Sequence, residues 1–185
     1  LAANPEKRYA SCAELLTQIE PFLDSFQQPK PYLQTKLPLG NNYFCGRDIE
    51  LQEIHTLLQQ EKFLLLHGVG GIGKTELAKH YAMTYAEEYD AVVFVRFLDS
   101  IESTILSDTN FPIVHCTRSE GESDAAYLER KLQVLHQICT PRHLILLDNF
   151  DTGDCENLDF LTELPCPILV TSRVDYDGIF PQYEV

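Results

Sequence analysis

A three-layer α/β/α fold, with a parallel sheet between two layers of helix and a separate helical segment in front of it, is predicted from three features of the chain. Short continuous apolar runs, such as FLLL from Phe63, AVVFV from Ala91 and ILV from Ile168, alternate with segments whose apolar residues recur at helical spacing. Strands that are apolar throughout, rather than at every second position, are those buried on both faces, as in a parallel sheet covered by helices. A glycine-rich turn joins the first of these strands to the helix after it. No run of about 18 apolar residues occurs, so neither a membrane span nor a signal peptide is expected.

The elements follow in order. Ser11 and Glu14 form a capping box, and Leu15, Leu16, Ile19, Phe22 and Leu23 make one apolar stripe, so residues 1–26 read as a helical segment that Pro21 should kink or end. Residues 27–42 hold three prolines and an Asn-Asn pair without periodicity, which reads as an extended linker. A domain then runs from 43 to 185. Leu51, Ile54, His55 and Leu58 place an apolar face on a helix of about 47–60, and Leu77, Ala78, Tyr81, Ala82 and Tyr85 do the same for the helix after the glycine turn. The strand AVVFVRF from Ala91 leads into a polar irregular stretch and a short strand near Ile113. A helix with Leu128, Leu132, Leu135 and Cys139 on one side precedes the strands HLILLD, from His143, and PILVTS, from Pro167.

Residues 68–75, GVGGIGKT, match the pattern G-x-x-x-x-G-K-[ST] between a strand and a helix start. Glycines let the backbone curl until successive N–H groups face one point, where the helix N-terminus adds partial positive charge. The loop from Gly68 through Gly70, Gly71, Ile72, Gly73, Lys74 and Thr75 to Glu76 therefore reads as a cradle for a polyphosphate. In HLILLDNFD, Asp148 ends an apolar strand at its carboxyl end, where open parallel sheets place ligands. A carboxylate there and the Thr75 hydroxyl suit Mg²⁺. Thr171, Ser172 and Arg173 end the last strand, and Arg173 is placed to reach a terminal phosphate. Phe44, Cys45, Gly46, Arg47 and Asp48 stand just ahead of the first domain helix.

The formal charge of −14, with acidic clusters at 87–90 and 119–124, repels phosphate backbones and argues against nucleic-acid binding. Six cysteines are scattered without a CxxC pair, as expected of reduced thiols in a cytoplasmic protein. Leu1 in place of an initiator Met, and a stop soon after a strand, read as an internal piece of a longer chain.

In order and spacing, FCGRDIEL, GVGGIGKTELA, HLILLDNFD and ILVTSR resemble the nucleotide-binding half of the NB-ARC or STAND class of P-loop signalling ATPases, over residues 43–185. The resemblance implies that Gly46 and Arg47 close over adenine, that Lys74 contacts the β- and γ-phosphates, that Thr75 and Asp148 hold Mg²⁺, and that Arg173 senses the γ-phosphate. It also implies an extra strand between the phosphate-loop strand and the Asp148 strand. Lys74, Asp148, Asn149 and Arg173 would form the catalytic set of a slow ATPase. Many members carry a second acid after the magnesium Asp; here that position is Asn149, and Asp151 is the acid that could substitute for it. Residues 1–26 resemble the end of a serine/threonine kinase domain, with Arg8 in the arginine position of its D/N-P-x-x-R-x-[ST] turn, although no kinase catalytic motif is present. These features imply an ATP/ADP switch in a multidomain signalling or defence protein, partnered by its own other domains and by nucleotide-dependent homo-oligomerisation. A working ATPase acting on DNA or protein, and a nucleotide-binding scaffold without turnover, are the alternatives.

Overall fold

The computed structural model describes residues 12–27, 29–38, 44–152, 159–176 and 178–185. Ser11 and Arg8 lie outside them. The chain divides into two compact units, Leu1–Lys30 and Pro31–Val185. In the first, α1 (Cys12–Gln27) does not end at Pro21. A proline withholds one N–H from the helix ladder, while the turns on either side keep theirs.

The second unit holds β1 (Tyr32–Leu33), α2 (Asp48–Glu61), β2 (Phe63–His67), α3 (Lys74–Thr84), β3 (Ala91–Arg96), α4 (Ile101–Leu106), β4 (Ile113–Val114), α5 (Asp124–Ile138), β5 (His143–Asp148), α6 (Asp159–Glu163), β6 (Ile168–Thr171) and β7 (Gln182–Glu184). Five strands form a parallel sheet in the order β3-β5-β6-β2-β7. The strand β6 therefore separates the phosphate-loop strand β2 from the Asp148 strand β5, as the resemblance implies. Side chains alternate between two cores. Leu64 and Leu66 join Leu144, Leu146 and Leu169 against α2 and α3, whereas Leu65 joins Val93, Ile145 and Val170 against α4, α5 and α6. That is the expected three-layer α/β/α fold. Complete burial of the three β2 leucines, each contributing about 1.5–3 kcal/mol, fixes the strand from which the glycine loop springs.

Several expectations need correction. Part of the expected linker is structured: β1 pairs antiparallel with β4, and Lys36 bridges Val93 at the sheet edge through Lys36 N–H to Val92 O at 2.8 Å. The polar stretch after β3 contains α4, whose N-cap Ser100 accepts from Ser103 N–H at 3.1 Å. The structure also adds α6 and β7 to the elements expected from the sequence. The buried face of α5 is Tyr127, Lys131 and Leu135, with Cys139 just past its end; Leu128 and Leu132 are only half-buried. The face turns because Lys131 is fully buried, its Nζ bonded at 2.6 Å to Asp108, whose carboxylate also accepts from Tyr127. A paired charge loses much of the cost of burial, which hydropathy alone does not register.

Candidate phosphate-binding site

The carboxyl ends of β2, β5 and β6 meet at one open cleft of about 440 Å³. Its walls are Gly70, Gly71, Gly73, Lys74, Thr75 and Glu76 from the loop and the start of α3, facing Asn149, Asp151, Thr171, Ser172 and Arg173. The local backbone explains the glycines. Gly68 has φ +147°, and a Cβ there would stand 2.9 Å from the carbonyl oxygen of Val185; Gly73 caps α3 at φ +105°. Side chains at either position would strain the curve of the loop.

Lys74 is buried, and its Nζ donates to the carbonyls of Gly68 at 2.8 Å and Val69 at 3.0 Å. Burial lowers its pKa from the ordinary lysine value, with Arg173 pushing the same way and Asp151 and Asp148 opposing. Asp148, at the end of β5, is also buried and receives two hydroxyl hydrogen bonds on one oxygen. Thr75 Oγ1 donates at 2.6 Å and Thr171 Oγ1 at 2.8 Å, while Thr171 Oγ1 accepts from Asn149 N–H at 2.9 Å. The hard oxygens of Thr75 and Asp148 fit Mg²⁺, which takes octahedral oxygen ligation and favours one or two carboxylates completed by phosphate and water. These two residues would hold it, and the ion would supply charge neutralisation for a bound polyphosphate.

Beyond Asp148 the chain turns sharply. Asn149 adopts φ +65°, in the left-handed region that asparagine tolerates better than most residues. Phe150 N–H then bonds Thr171 O at 2.8 Å and its ring is buried between Phe97 and Tyr176, while Asp151 N–H bonds back to Asn149 O at 3.0 Å. This turn returns Asp151 to the cleft, where Arg173 engages both its carboxylate oxygens: Arg173 N–H reaches Oδ1 at 2.6 Å and Nε approaches Oδ2 at 2.9 Å. Arg173 Nη2 also reaches Asn149 Oδ1 at 3.5 Å, and the arginine stem crosses the loop so that a Cβ on Gly70 would lie 3.7 Å from its Cδ.

Gly70, Gly71, Gly73, Lys74, Thr75, Glu76, Asn149 and Arg173 thus line the cleft, and Asp148 stands directly behind Thr75. Gly68, Ile72, Gly46 and Arg47 do not line it. Arg47 is tied to the loop, its Nη2 donating to Ile72 O at 3.0 Å, and nearby the Phe44 ring stacks on His80 with centroids 3.8 Å apart. The pairing of Asp151 with Arg173 is not among the contacts expected from the sequence. The only trace of it in the sequence is an acid three residues beyond the strand-end Asp148.

Residues 48–115 match the protein family described as Novel STAND NTPase 3. That match, with the strand order, supports a STAND-class P-loop NTPase. Among solved structures, the chain is similar to one titled "Structure of C. elegans PCH-2", at 16% identity and a TM-score of 0.41, covering 75% of this chain and 42% of that one. It is also similar to "Structure of Drosophila ORC bound to GC-rich DNA and Cdc6", at 13% identity and a TM-score of 0.39, covering 80% of this chain and 62% of that one. The chain thus spans less than two thirds of either. No curated protein sequence matches it. Among the described residues, no helix is long and apolar enough to cross a membrane.

Proposed function

We propose that the chain is an ATP/ADP-binding regulatory switch of a multidomain signalling or defence protein, with slow Mg²⁺-dependent ATP hydrolysis. The observation that carries this reading is that Lys74, Thr75 and Arg173 line one cleft together with the loop glycines, while Asp148 is hydrogen-bonded to Thr75. Lys74 and the amides would take the β- and γ-phosphates, Thr75 and Asp148 the magnesium ion, and Arg173 the γ-phosphate that distinguishes ATP from ADP. Gly46 and Arg47 would face the base, held beside the loop by the bond from Arg47 to Ile72. Slow turnover is favoured because Asn149 occupies the place of a second acid and an amide offers little basicity. The readout would be nucleotide-dependent contact with other domains or with further copies of the protein.

The test is steady-state phosphate release by the purified chain, with and without DNA. Turnover well below the common enzyme rate of about 10 s⁻¹, and indifferent to DNA, supports the switch. Turnover at that rate, or strong stimulation by DNA, favours a working ATPase, and binding with no turnover at all favours a scaffold.

A further inference from the structure

We infer that Asp151 is the acid that orients the attacking water for ATP hydrolysis, and that Arg173 masks it until a γ-phosphate draws the arginine away. The inference rests on the nucleotide reading of the same cleft and assigns a residue and a gate that reading lacks.

Three observations carry it. Asp151 lines the same cleft as Lys74, Thr75, Asn149 and Arg173, which is the space that the nucleotide reading gives to the terminal phosphate. It reaches that place through the left-handed Asn149, which lets Phe150 enter the core and brings the next side chain back over the cleft. Both of its oxygens are occupied by one residue, Arg173, through the backbone N–H at 2.6 Å and the guanidinium Nε at 2.9 Å. The backbone bond anchors Oδ1. The guanidinium contact is the exchangeable half, because the arginine side chain is 63% exposed and already leans across Gly70.

A γ-phosphate offers that guanidinium a more highly charged partner of matching geometry. When Arg173 turns to it, Oδ2 is released to accept a hydrogen bond from water. The water oxygen then bonds to the γ-phosphorus while the bond from that phosphorus to the β,γ-bridging oxygen breaks. ADP leaves with the electron pair, and the water proton passes to Asp151 before release to the phosphate product. With ADP bound no such competitor exists, and Asp151 stays masked. Sensing and hydrolysis therefore share one ion pair.

The experiment compares the 185-residue chain with Asp151→Asn and Asp151→Glu, measuring calorimetric affinity for Mg²⁺·ADP and for a non-hydrolysable Mg²⁺·ATP analogue, together with phosphate release in single turnover. Asp151→Asn should leave ADP affinity unchanged, which also reports a folded protein. It should raise analogue affinity about two- to fivefold, the scale of losing one exposed competing ion pair. It should slow single-turnover release by about 10²–10⁴, the usual contribution of a positioned base, and Asp151→Glu should recover part of that loss. Retained hydrolysis in Asp151→Asn, or a parallel loss of affinity for both nucleotides, overturns the inference and leaves nucleotide binding standing. Wild type that binds but never hydrolyses overturns it likewise. Absence of binding by the folded wild type would overturn the nucleotide reading and this inference together.

Discussion

Thr75 Oγ1 and Asp148 Oδ1 lie 2.6 Å apart, although 73 residues separate them and they belong to different elements. Thr75 is in the first turn of α3 and Asp148 closes β5, and β6, which lies between β5 and β2, contributes Thr171, whose hydroxyl bonds the same oxygen at 2.8 Å. The pair is thus held in place before any ion arrives. Thr75→Ala and Asp148→Ala should each abolish most of the gain in ATP affinity on adding Mg²⁺, a loss of roughly 10- to 150-fold if one charge-assisted contact worth about 1.5–3 kcal/mol disappears. Thr75→Ser should retain it. Titrations with Mg²⁺ and with a chelator decide the matter, and variants that keep the full Mg²⁺ effect would remove these two residues from the metal site.

Arg173→Ala should weaken binding of an ATP analogue while leaving ADP nearly unchanged, because only the triphosphate presents a partner to the guanidinium. Competition titrations with the two nucleotides test this. Equal losses for both would make Arg173 a structural residue that merely steadies Asp151.

Asn149→Asp should leave nucleotide binding nearly intact and accelerate single-turnover hydrolysis. The new carboxylate would stand where the amide oxygen now meets Arg173 Nη2, and aspartate also accepts the left-handed backbone at φ +65°. Asn149→Val should behave differently, destabilising the fold by about 1–3 kcal/mol because a β-branched residue is strained there. A denaturant midpoint equal to that of wild type for Asn149→Val would show that the turn after Asp148 is not a constraint.

The fold was largely legible because its determinants are local. The continuous apolar strands β2, β3, β5 and β6, the glycine loop and the strand-end Asp148 each carry a short-range signal, and alternation with helices sets the layers. What escaped depends on partners distant in sequence. The strands β1 and β7, of two and three residues, are too short for any periodicity and are defined by the strands they join. The face of α5 turned because Lys131 pairs with Asp108, 23 positions away. The Arg173–Asp151 pair required both the adjacency of β5 and β6 and the left-handed turn at Asn149.

Acid stability should depend on the loop that precedes α5. Glu122 accepts hydrogen bonds from the Arg130 guanidinium and from Ser119 N–H, and these hold its pKa down to about 2 from an ordinary 4.5. A carboxylate depressed in the folded state contributes stability that is fully present above its unfolded pKa and is lost as pH falls towards the folded one. The wild-type denaturant midpoint should therefore decline between about pH 4.5 and pH 2. Arg130→Gln should start lower at pH 6 and decline less, so that the two curves converge in acid. Parallel curves would show that the pair is not coupled to folding.

Lys74 tests the central claim most directly, since its Nζ already sits inside the curve of the loop against Gly68 and Val69 and would turn to the phosphates on binding. The measurement is calorimetric titration of Mg²⁺·ATP and Mg²⁺·ADP into wild type and Lys74→Ala. Saturable binding by wild type, weakened roughly 10- to 150-fold in the variant by loss of one charged contact of about 1.5–3 kcal/mol, is the predicted result. A folded wild type that binds neither nucleotide, or a variant that binds both as tightly as wild type, would contradict the account.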